Sequence, residues 1–442
     1  MNADVGIEQI TLLLFAFFFF LFAIRMPISF ALMAVGLVFG IWLWGPSHLY
    51  AVASSLYGAT TSQVLIAVPL FILMGNVLAF TGIASKLFRA LYYWAGPIRG
   101  GMAMGVEVIG AMFAAMCGTS SAGTITMGTI ALPAMFERKY NKHLAIGTVA
   151  SAGILGILIP PSIIAVIYAS VAGVSVGKLY LGMFLPGLLL AMLYIIYIGA
   201  RSYLQPNLAP AIPKAERPAW SVKLGLLKDV VMPVLIVVAV LGGIYTGTIT
   251  PTEAAGVGAF CVFIAAAIDR SLTWNNTRQA LWTTLRLTSM VVWLIIAVTY
   301  FTSVYNALGA PQLINEFVAN LPFTGFGVVI LTQISIFILG CIMDDVAIIL
   351  LCTPLYLPII TSLGFDPLWF GVLFLVNMQC AWLTPPYGFN LFYMRAVAPS
   401  EIPMTDIWRS VIPFIVMQVV VLAIVMVFPP AATWLPTTFI GK

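Results

Sequence analysis

Long apolar runs separated by short polar stretches dominate the sequence. About 20 consecutive apolar residues are enough for a helix to cross a bilayer, and runs of this kind recur from one end of the chain to the other. The pattern predicts uninterrupted membrane-spanning helices near residues 7–24, 27–45, 64–81, 179–199, 230–246, 252–268, 287–308 and 410–428. A shorter piece, 84–95, mixes basic and aromatic residues and is predicted to lie at the membrane surface. We therefore expect an all-α protein that crosses the membrane many times.

Two further apolar stretches, 98–136 and 324–360, have a polar turn at their centre. In the first, the run Gly118–Thr124 (Gly-Thr-Ser-Ser-Ala-Gly-Thr) separates two short apolar segments, and in the second Asp344 and Asp345 have the corresponding place. An unpaired backbone group in hydrocarbon costs several kcal/mol, so a non-helical tip at membrane depth needs protein, water or an ion to satisfy it. Both stretches are predicted to be re-entrant helical hairpins whose tips are candidate binding sites.

Glycine and proline interrupt two other apolar stretches, 144–171 and 368–394. The first breaks at Gly156 and at the run 159–162 (Ile-Pro-Pro-Ser), and the second at the run 384–388 (Thr-Pro-Pro-Tyr-Gly). Proline has no backbone N–H to donate, so a helical carbonyl opposite it is left unpaired. These stretches are predicted to be broken transmembrane helices that offer free backbone oxygens.

The polar features of the chain recur at a constant spacing. Pro133 precedes the double proline that starts at Pro160 by 27 positions, and Pro358 precedes the one that starts at Pro385 by the same number. The two stretches therefore superpose at an offset of 225, which places the first hairpin tip opposite the second. A shared order of proline, polar tip and double proline indicates an internal duplication.

A second match extends the duplication towards the start of each half. Met26-Pro27 corresponds to Thr250-Pro251 at an offset of 224. The predicted organisation is a first repeat at 1–200, a polar linker at 201–229 and a second repeat at 230–442.

Each half is predicted to cross the membrane five times, so the second half enters from the opposite side and the repeat is inverted. Basic residues collect in cytoplasmic loops, and these spans place all but two of the 19 lysines and arginines, Lys178 and Lys442, on one side. We therefore expect both termini to be periplasmic and the linker to be cytoplasmic. The first hairpin should open to the cytoplasm and the second to the outside.

Composition agrees with a membrane protein and excludes a soluble one. The chain is 62% hydrophobic and 7% charged, whereas soluble domains carry about 25% charged residues. Its mean hydropathy is +1.09. The five cysteines lie in apolar surroundings without a CxxC motif and are interpreted as buried thiols.

Inverted repeats with hairpins and broken helices are typical of secondary transporters, in which substrate and coupling ions bind near the middle of the membrane. A hard cation such as sodium requires several oxygen ligands, so we predict one ion between each hairpin tip and the adjacent break. The candidate sodium- and substrate-binding residues are Gly118, Thr119, Ser120, Ser121, Gly156, Pro160, Ser162, Asp344, Asp345, Thr384, Pro385, Gly388 and Asn390. Those expected to hold sodium are Ser120, Ser121, Asp344 and Asp345.

Other polar or flexible positions have simpler interpretations. Glycine is common where membrane helices pack closely, so Gly36 and Gly40 are interpreted as helix contacts. Glu107 is expected near the cytoplasmic surface, at a distance of one hairpin arm from the first tip. Charge at membrane depth is costly and rare, which instead favours a functional role for Asp344 and Asp345.

The run Thr250–Gly256 (Thr-Pro-Thr-Glu-Ala-Ala-Gly), the two tips, the break at 159–162 and Thr353-Pro354 resemble the large membrane subunit of tripartite ATP-independent periplasmic (TRAP) transporters. The resemblance covers essentially the whole chain. It implies a bacterial inner-membrane protein that works with a separate small four-span membrane subunit and a soluble periplasmic substrate-binding protein. It also implies sodium-driven uptake of an organic acid by an elevator mechanism, in which a domain carrying both hairpins slides against a scaffold.

Two other functions share part of the pattern. A stand-alone sodium symporter for divalent anions would have the same hairpin plan, and an ion channel would use Asp344 and Asp345 as a selectivity ring. An enzyme is not expected, because the sequence has neither an HExxH motif nor a Walker glycine-lysine loop. The lack of the latter also argues against ATP-driven pumping by this chain. We expect sodium as the coupling ion, no organic cofactor and no nucleic-acid partner.

Overall fold

The computed structural model describes residues 6–213, 216–310, 312–313 and 325–440, and all regular structure in these residues is helical. The helices of the first half are α1 (Ile7–Ala23), α2 (Ile28–Trp44), α3 (Tyr50–Thr61), α4 (Ala67–Phe80), α5 (Ile83–Ala95), α6 (Gly101–Cys117), α7 (Ser120–Glu137), α8 (Lys142–Ile154), α9 (Ile163–Ala172) and α10 (Val176–Leu204). The remaining helices are α11 (Trp220–Leu226), α12 (Lys228–Tyr245), α13 (Pro251–Ile268), α14 (Trp274–Ala307), α15 (Gly325–Gly340), α16 (Asp345–Ser362), α17 (Pro367–Leu383), α18 (Phe389–Val397), α19 (Met404–Val427) and α20 (Pro430–Phe439).

The structure contains both predicted hairpins as helix-turn-helix units. Helices α6 and α7 form the first, and α15 and α16 form the second, whose predicted first residue, 324, lies outside the described residues. Helices α7 and α16 both have 18 residues, and they begin 225 positions apart, at Ser120 and Asp345. The all-α membrane fold with two hairpins is thus confirmed.

Both predicted broken helices are also present. A short 3-10 turn and the double proline separate α8 from α9, and the second double proline separates α17 from α18. Asn141 caps α8 by accepting hydrogen bonds from the backbone N–H groups of the first turn, and Asp366 caps α17 in the same way. Such caps satisfy donors that a helix start leaves unpaired. Asn141 and Asp366 are equivalent positions of the two repeats, so both halves begin these helices at the same place.

Helix lengths differ from the prediction at several places. The span predicted at 64–81 is present as the helical segment Val64–Phe80, of which α4 is the longer part. The preceding segment, Pro46–Thr61, was not predicted, and the chain bends by 62° between the two. Helix α14 has 34 residues rather than the 22 predicted, since Thr273 caps a polar first section that continues into the apolar run. Helices α3, α11 and α20 were not predicted. Among the described residues, six helices are long and apolar enough to cross a membrane, or seven if the bent pair counts as one span.

The Thr-Pro-Thr-Glu motif begins α13. The Thr250 hydroxyl accepts a hydrogen bond from the backbone N–H of Glu253 (3.2 Å), and the Glu253 carboxylate accepts one from the backbone N–H of Thr250 (2.7 Å). This reciprocal capping box, with proline in the first helical position, fixes the start of the helix. The Thr252 hydroxyl donates to the carbonyl of Gln63 (3.0 Å) and joins α13 to the bend before α4.

Helices α2, α3, α4, α13 and α14 pack together as a scaffold, with α14 running along α2, α3 and α4. Gly36 and Gly40 are helix contacts, as predicted: a Cβ atom at either position would lie 2.8 Å from an atom of the Tyr300 side chain on α14. The close approach that these glycines allow holds α2 against α14.

The hairpins and broken helices of the two halves interlock. Helix α7 packs against α8 and against α18 of the second half, while α16 packs against α9 of the first half. The side-chain amide of Gln379 donates to the carbonyl of Ile154 (3.1 Å), which is the residue 225 positions earlier. Equivalent positions of the two halves therefore meet at this contact, as they must near a pseudo-twofold axis.

The ion pairs agree with the charge pattern of the sequence. Each of those found in the described part of the chain joins two segments that the pattern assigns to the same side of the membrane. They are Lys86–Asp269, Arg89–Asp229, Arg138–Glu216 and Lys142–Asp406. Exposed pairs of this kind contribute about 0–1 kcal/mol each, so they report on the arrangement of the chain more than on its stability.

Candidate functional site

The tip of the first hairpin packs directly on the first helix break. Gly118 ends α6 with φ +63°, a conformation that glycine adopts without strain, and its carbonyl accepts a hydrogen bond from the backbone N–H of Ile163 (3.3 Å). A Cβ atom at Gly118 would lie 2.8 Å from the carbonyl oxygen of Pro161, and one at Gly156 would lie 2.8 Å from that of Thr119. The structure thus brings Gly118 and Thr119 of this tip against Gly156 and Pro161 of this break, with backbone oxygens of both at the contact.

The hydroxyl groups of Thr119, Ser120 and Ser121 form no hydrogen bond with any residue that the structure describes. Ser120 is nevertheless buried, with 3% of its surface exposed. Thr119 and Ser121 line a cavity of about 390 Å³ between the hairpin and the scaffold helix α4. Three adjacent hydroxyls without a protein partner, on one buried and two half-buried residues, are available to a ligand.

The second hairpin tip presents two carboxylates. Asp344 caps α16, with Oδ1 accepting a hydrogen bond from the backbone N–H of Ala347 (3.0 Å), and Oδ1 of Asp345 accepts one from Val346 (2.9 Å). Neither carboxylate forms an ion pair within the described residues. The Tyr393 side chain on α18 lies within electrostatic range of both, which places this tip beside the helix that follows the second break.

The residues of the second break have different surroundings from one another. The Thr384 hydroxyl donates to the carbonyl of Cys380 one helical turn earlier (2.7 Å), and Gly388 begins α18 with φ +41°. Asn390 is fully buried, and its side chain joins the two halves: Nδ2 donates to the carbonyl of Ala150 (2.9 Å) and Oδ1 accepts from the Thr124 hydroxyl (2.6 Å). Asn390 belongs to the second half of the chain, but its side chain packs against the first half, and its hydrogen bonds join the two.

In the first break, Ser162 also has a structural contact. Its hydroxyl oxygen accepts a hydrogen bond from the backbone N–H of Ala165 (3.4 Å) and so caps α9, while its carbonyl accepts one from the Tyr180 hydroxyl (3.1 Å). Pro160 is buried next to it. The hydroxyl of Ser162 is engaged, in contrast to those of the hairpin tip.

A larger cavity, of about 830 Å³, lies beside the second hairpin. Helix α16 contributes Leu350, Pro354 and Thr361 to its wall, and the C-terminal half of α14 contributes a polar wall. The polar residues from α14 are Thr299, Thr302, Ser303 and Asn306. The N-terminal half of α14 supplies Thr283 and Leu287 to the smaller cavity beside the first hairpin. One long scaffold helix therefore faces both hairpins, each through its own cavity.

Two contacts that join the halves, those of Thr124 and Gln379, were not predicted. Thr124 is the last residue of the predicted tip and forms the contact with Asn390 described above. Gln379 lies in an otherwise apolar helix and is fully buried. A single amide side chain within an apolar run indicates a contact between helices, because a buried amide requires hydrogen-bond partners. The sequence therefore contained a signal for Gln379.

Glu107 is fully buried within the protein on α6, and its place near the cytoplasmic surface stays a prediction. The Ser151 hydroxyl oxygen lies 2.5 Å from its Oε1 and 2.9 Å from the carbonyl of Gly147. The Ser151 hydroxyl donates to Oε1 of Glu107, and this hydrogen bond joins α8 to the first hairpin. No described cation pairs with Glu107.

Glu107→Gln is expected to preserve stability, because the amide oxygen accepts from Ser151 as the Glu107 carboxyl oxygen does. Glu107→Ala leaves a cavity and a buried donor without its acceptor, which costs about 1–3 kcal/mol. Thermal unfolding of the purified protein measures both effects. Equal destabilisation by the two substitutions would show that the hydrogen bond from Ser151 does not stabilise the fold.

Other chemistry-bearing side chains have structural roles. The run Gly173–Gly177 has the G-x-S-x-G spacing of a hydrolase nucleophile, but Ser175 is an exposed helix cap that accepts from the backbone N–H of Lys178 (3.4 Å). The histidines lie elsewhere: His48 stacks on Trp44, and His143 contacts Ser410. The five cysteines are free thiols. No group of three or more His, Cys, Asp or Glu side chains suited to a metal ion occurs among the described residues.

The protein has a helical membrane fold with two hairpins and two broken helices, and the hydroxyls at one hairpin tip are free to bind a ligand. These features are those of a multi-pass membrane transporter. The family model described as "Tripartite ATP-independent periplasmic transporter, DctM component" matches residues 15–431. The chain belongs to this family and is a transporter permease of the inner membrane.

Relatives with assigned roles match almost end to end. The C4-dicarboxylate TRAP transporter large permease of Vibrio cholerae is 32% identical, with 97% of this chain and 98% of that protein covered. The sialic acid TRAP transporter large permease of the same species is 30% identical, over 94% and 96%. Among solved structures, the YdaH transporter of Alcanivorax borkumensis has a TM-score of 0.65 at 15% identity, covering 95% of this chain and 98% of that one. The last comparison reports a shared fold.

Proposed function

We propose that the protein takes up a small organic acid together with sodium, by an elevator movement of the two hairpins relative to the scaffold. The observation that carries this proposal is the group of three adjacent hydroxyls at Thr119, Ser120 and Ser121, which have no partner among the described residues. Thr119 and Ser121 also border a cavity. Hydroxyl and backbone oxygens of this kind suit a hard cation.

Two ion positions are proposed, one at each tip. Ser120 and Ser121, with backbone oxygens of the adjoining break, would hold one ion. Asp344 and Asp345 would hold the other, where sodium offsets the charge of carboxylates that have no described cationic partner. A bound cation next to a helix N-terminus that attracts anions gives a substrate carboxylate two sources of stabilisation.

The position of α14 supports the elevator movement. Its two halves line separate cavities, one beside each hairpin. If a unit carrying both hairpins moved along α14, the cavity that adjoins a given hairpin tip would change. Alternating access then needs no remodelling of the scaffold, since the interlocked hairpins and broken helices move as one body.

Relatives suggest the substrate class and the partners. Their names include C4-dicarboxylate, sialic acid and 2,3-diketo-L-gulonate permeases. The isethionate permease DctMQ of Oleidesulfovibrio alaskensis is longer, with this chain covering 65% of it. We infer a small four-span membrane subunit and a periplasmic substrate-binding protein as partners. Both termini would be periplasmic, as the charge pattern predicts.

Unfolding in sodium chloride and in potassium chloride of equal ionic strength tests the ion sites without knowledge of the substrate. Sodium should raise the melting temperature of the purified full chain, and saturation at about 100 times the Kd adds about 2.7 kcal/mol of stability. Ser120→Ala removes one oxygen ligand and should raise the half-maximal sodium concentration about tenfold.

Thr129→Ala is the matched control for Ser120→Ala. Thr129 lies on the same helix as Ser120 and lines the cavity beside the first tip, but its hydroxyl donates to the carbonyl of Ile125 within that helix. Its loss should leave the sodium dependence unchanged. If sodium and potassium stabilise the wild-type protein equally, the proposed coupling ion is wrong. Uptake by this chain reconstituted without partners would instead favour a stand-alone symporter.

A further inference from the structure

A separate cavity of about 270 Å³ lies where α8 and α19 begin and α10 ends. It is on the side of the protein on which the sequence concentrates its lysines and arginines. The polar residues that line it are Asn141, His143, Tyr197, Arg201, Arg409 and Ser410. No carboxylate is among the lining residues, so the cavity wall is cationic.

Neither arginine of this cavity has an acidic partner in the described part of the chain. Arg201 is positioned by neutral groups on or next to its own helix, because Nε donates to the Gln205 side chain (3.2 Å) and a terminal nitrogen donates to the Tyr197 hydroxyl (3.4 Å). The nearby carboxylate of Asp406 is paired with Lys142 at 2.5 Å. The cavity and its surroundings thus contain three basic side chains, those of Arg201, Arg409 and Lys142, but only one nearby carboxylate, that of Asp406. The net charge of this region is therefore positive.

The histidine of the cavity is held in place by a hydrogen bond. The Ser410 hydroxyl donates to the carbonyl of Asp406 (2.6 Å), so its oxygen accepts from Nδ1–H of His143 (3.1 Å). The two arginines therefore supply the charge of the cavity wall, and His143 adds polar surface beside them.

Apolar surface continues from the cavity along the membrane-facing sides of α10 and α19. Ile196 is 59% exposed, and Ile412 and Val416 are 53% and 57% exposed. Phe414 forms part of the cavity wall, with its ring packed against that of Tyr197. In a ligand with an anionic head and hydrocarbon tails, the head would therefore contact the cationic cavity and the tails would contact the apolar surface next to it.

We propose that this cavity binds the phosphate headgroup of an anionic phospholipid, with the acyl chains lying along α10 and α19. Arginine pairs well with phosphate through its planar array of donors. Basic pockets between membrane helices on the cytoplasmic side are suited to such headgroups. The phospholipid would tether the ends of α8, α10 and α19, of which α8 is the first part of the first broken helix. The site is separate from the ion sites at the hairpin tips.

The test is a titration of the delipidated, detergent-purified full chain with phosphatidylglycerol, followed by native mass spectrometry. The first phosphatidylglycerol should bind in preference to phosphatidylcholine. The double substitution Arg201→Gln with Arg409→Gln should weaken its binding about 30-fold, which corresponds to about 2 kcal/mol at about 1 kcal/mol for each arginine. Replacement of both by lysine should restore most of the binding.

The double substitution Arg99→Gln with Arg278→Gln is the matched control, because it removes the same charge from two exposed arginines outside the cavity. It should change phosphatidylglycerol binding by less than about twofold. Equal binding by the cavity variant and the control variant would overturn the proposal. Displacement of phosphatidylglycerol by an equal concentration of inorganic phosphate would also overturn it and would identify a site for soluble anions.

Discussion

Asp345→Ala should strongly reduce the part of the sodium stabilisation that comes from the second hairpin tip and should stop sodium-driven uptake. The Asp345 carboxylate lies at a hairpin tip in the first turn of α16 and forms no ion pair within the described residues. Oδ1 of Asp345 accepts a local hydrogen bond from the backbone N–H of Val346. Removal of a charged ligand typically costs about 1.5–3 kcal/mol, so sodium binding at this tip should weaken about 10- to 150-fold.

Asp366→Ala provides the control for this experiment. Asp366 also begins a helix of the second half, and its carboxylate accepts a hydrogen bond from the backbone N–H of Leu368 (2.8 Å). It lies away from both tips, so its loss should cost about 1 kcal/mol of stability and leave the response to sodium intact. An Asp345→Ala protein that inserts normally and keeps the wild-type sodium response would refute an ion site at the second tip.

Gly156→Ala should weaken sodium binding at the first tip about tenfold. The added methyl group would lie 2.8 Å from the carbonyl oxygen of Thr119 and 2.9 Å from its carbonyl carbon. Backbone atoms at that distance must move, which costs about 1–3 kcal/mol in a well-packed interior. The tip would shift from the break, and the oxygens that both contribute would no longer converge.

Gly242→Ala is the corresponding control. Gly242 lies in the membrane helix α12, and a Cβ atom there would meet nothing within 4 Å. Alanine is the better helix former by about 0.5–1 kcal/mol, so this protein should be as stable as the wild type or slightly more so. If Gly156→Ala binds sodium with unchanged affinity, contact between tip and break does not form the ion site.

The hairpins and broken helices could be predicted because their signals are local. A polar tip within an apolar run and a double proline within another each identify an element without reference to the rest of the chain. The constant offset then relates the two sets, and the helices α7 and α16 begin at the predicted separation. The scaffold was predicted less well, since the bend before α4 and the full length of α14 depend on packing between distant segments.

Asn390 shows where reasoning from sequence alone stops. Its place after the double proline resembles that of a ligand, yet in the fold it bonds to Thr124 and Ala150 across the two halves. Glu107 is similar, because nothing in the sequence shows that Ser151 lies opposite it. In both cases the role depends on which side chain lies opposite, and that is decided by the pairing of helices more than 40 positions apart.

The interlocking of the halves bears on how such a chain could arise. Helix α7 packs on α18, and α16 packs on α9, so a protein made of one half alone would leave one face of its hairpin and one face of its broken helix bare. A single-copy ancestor would thus have needed a second copy of itself, inserted in the opposite direction, to complete its core. Gene fusion would then have fixed in one polypeptide a pairing that previously depended on equal numbers of molecules facing each way.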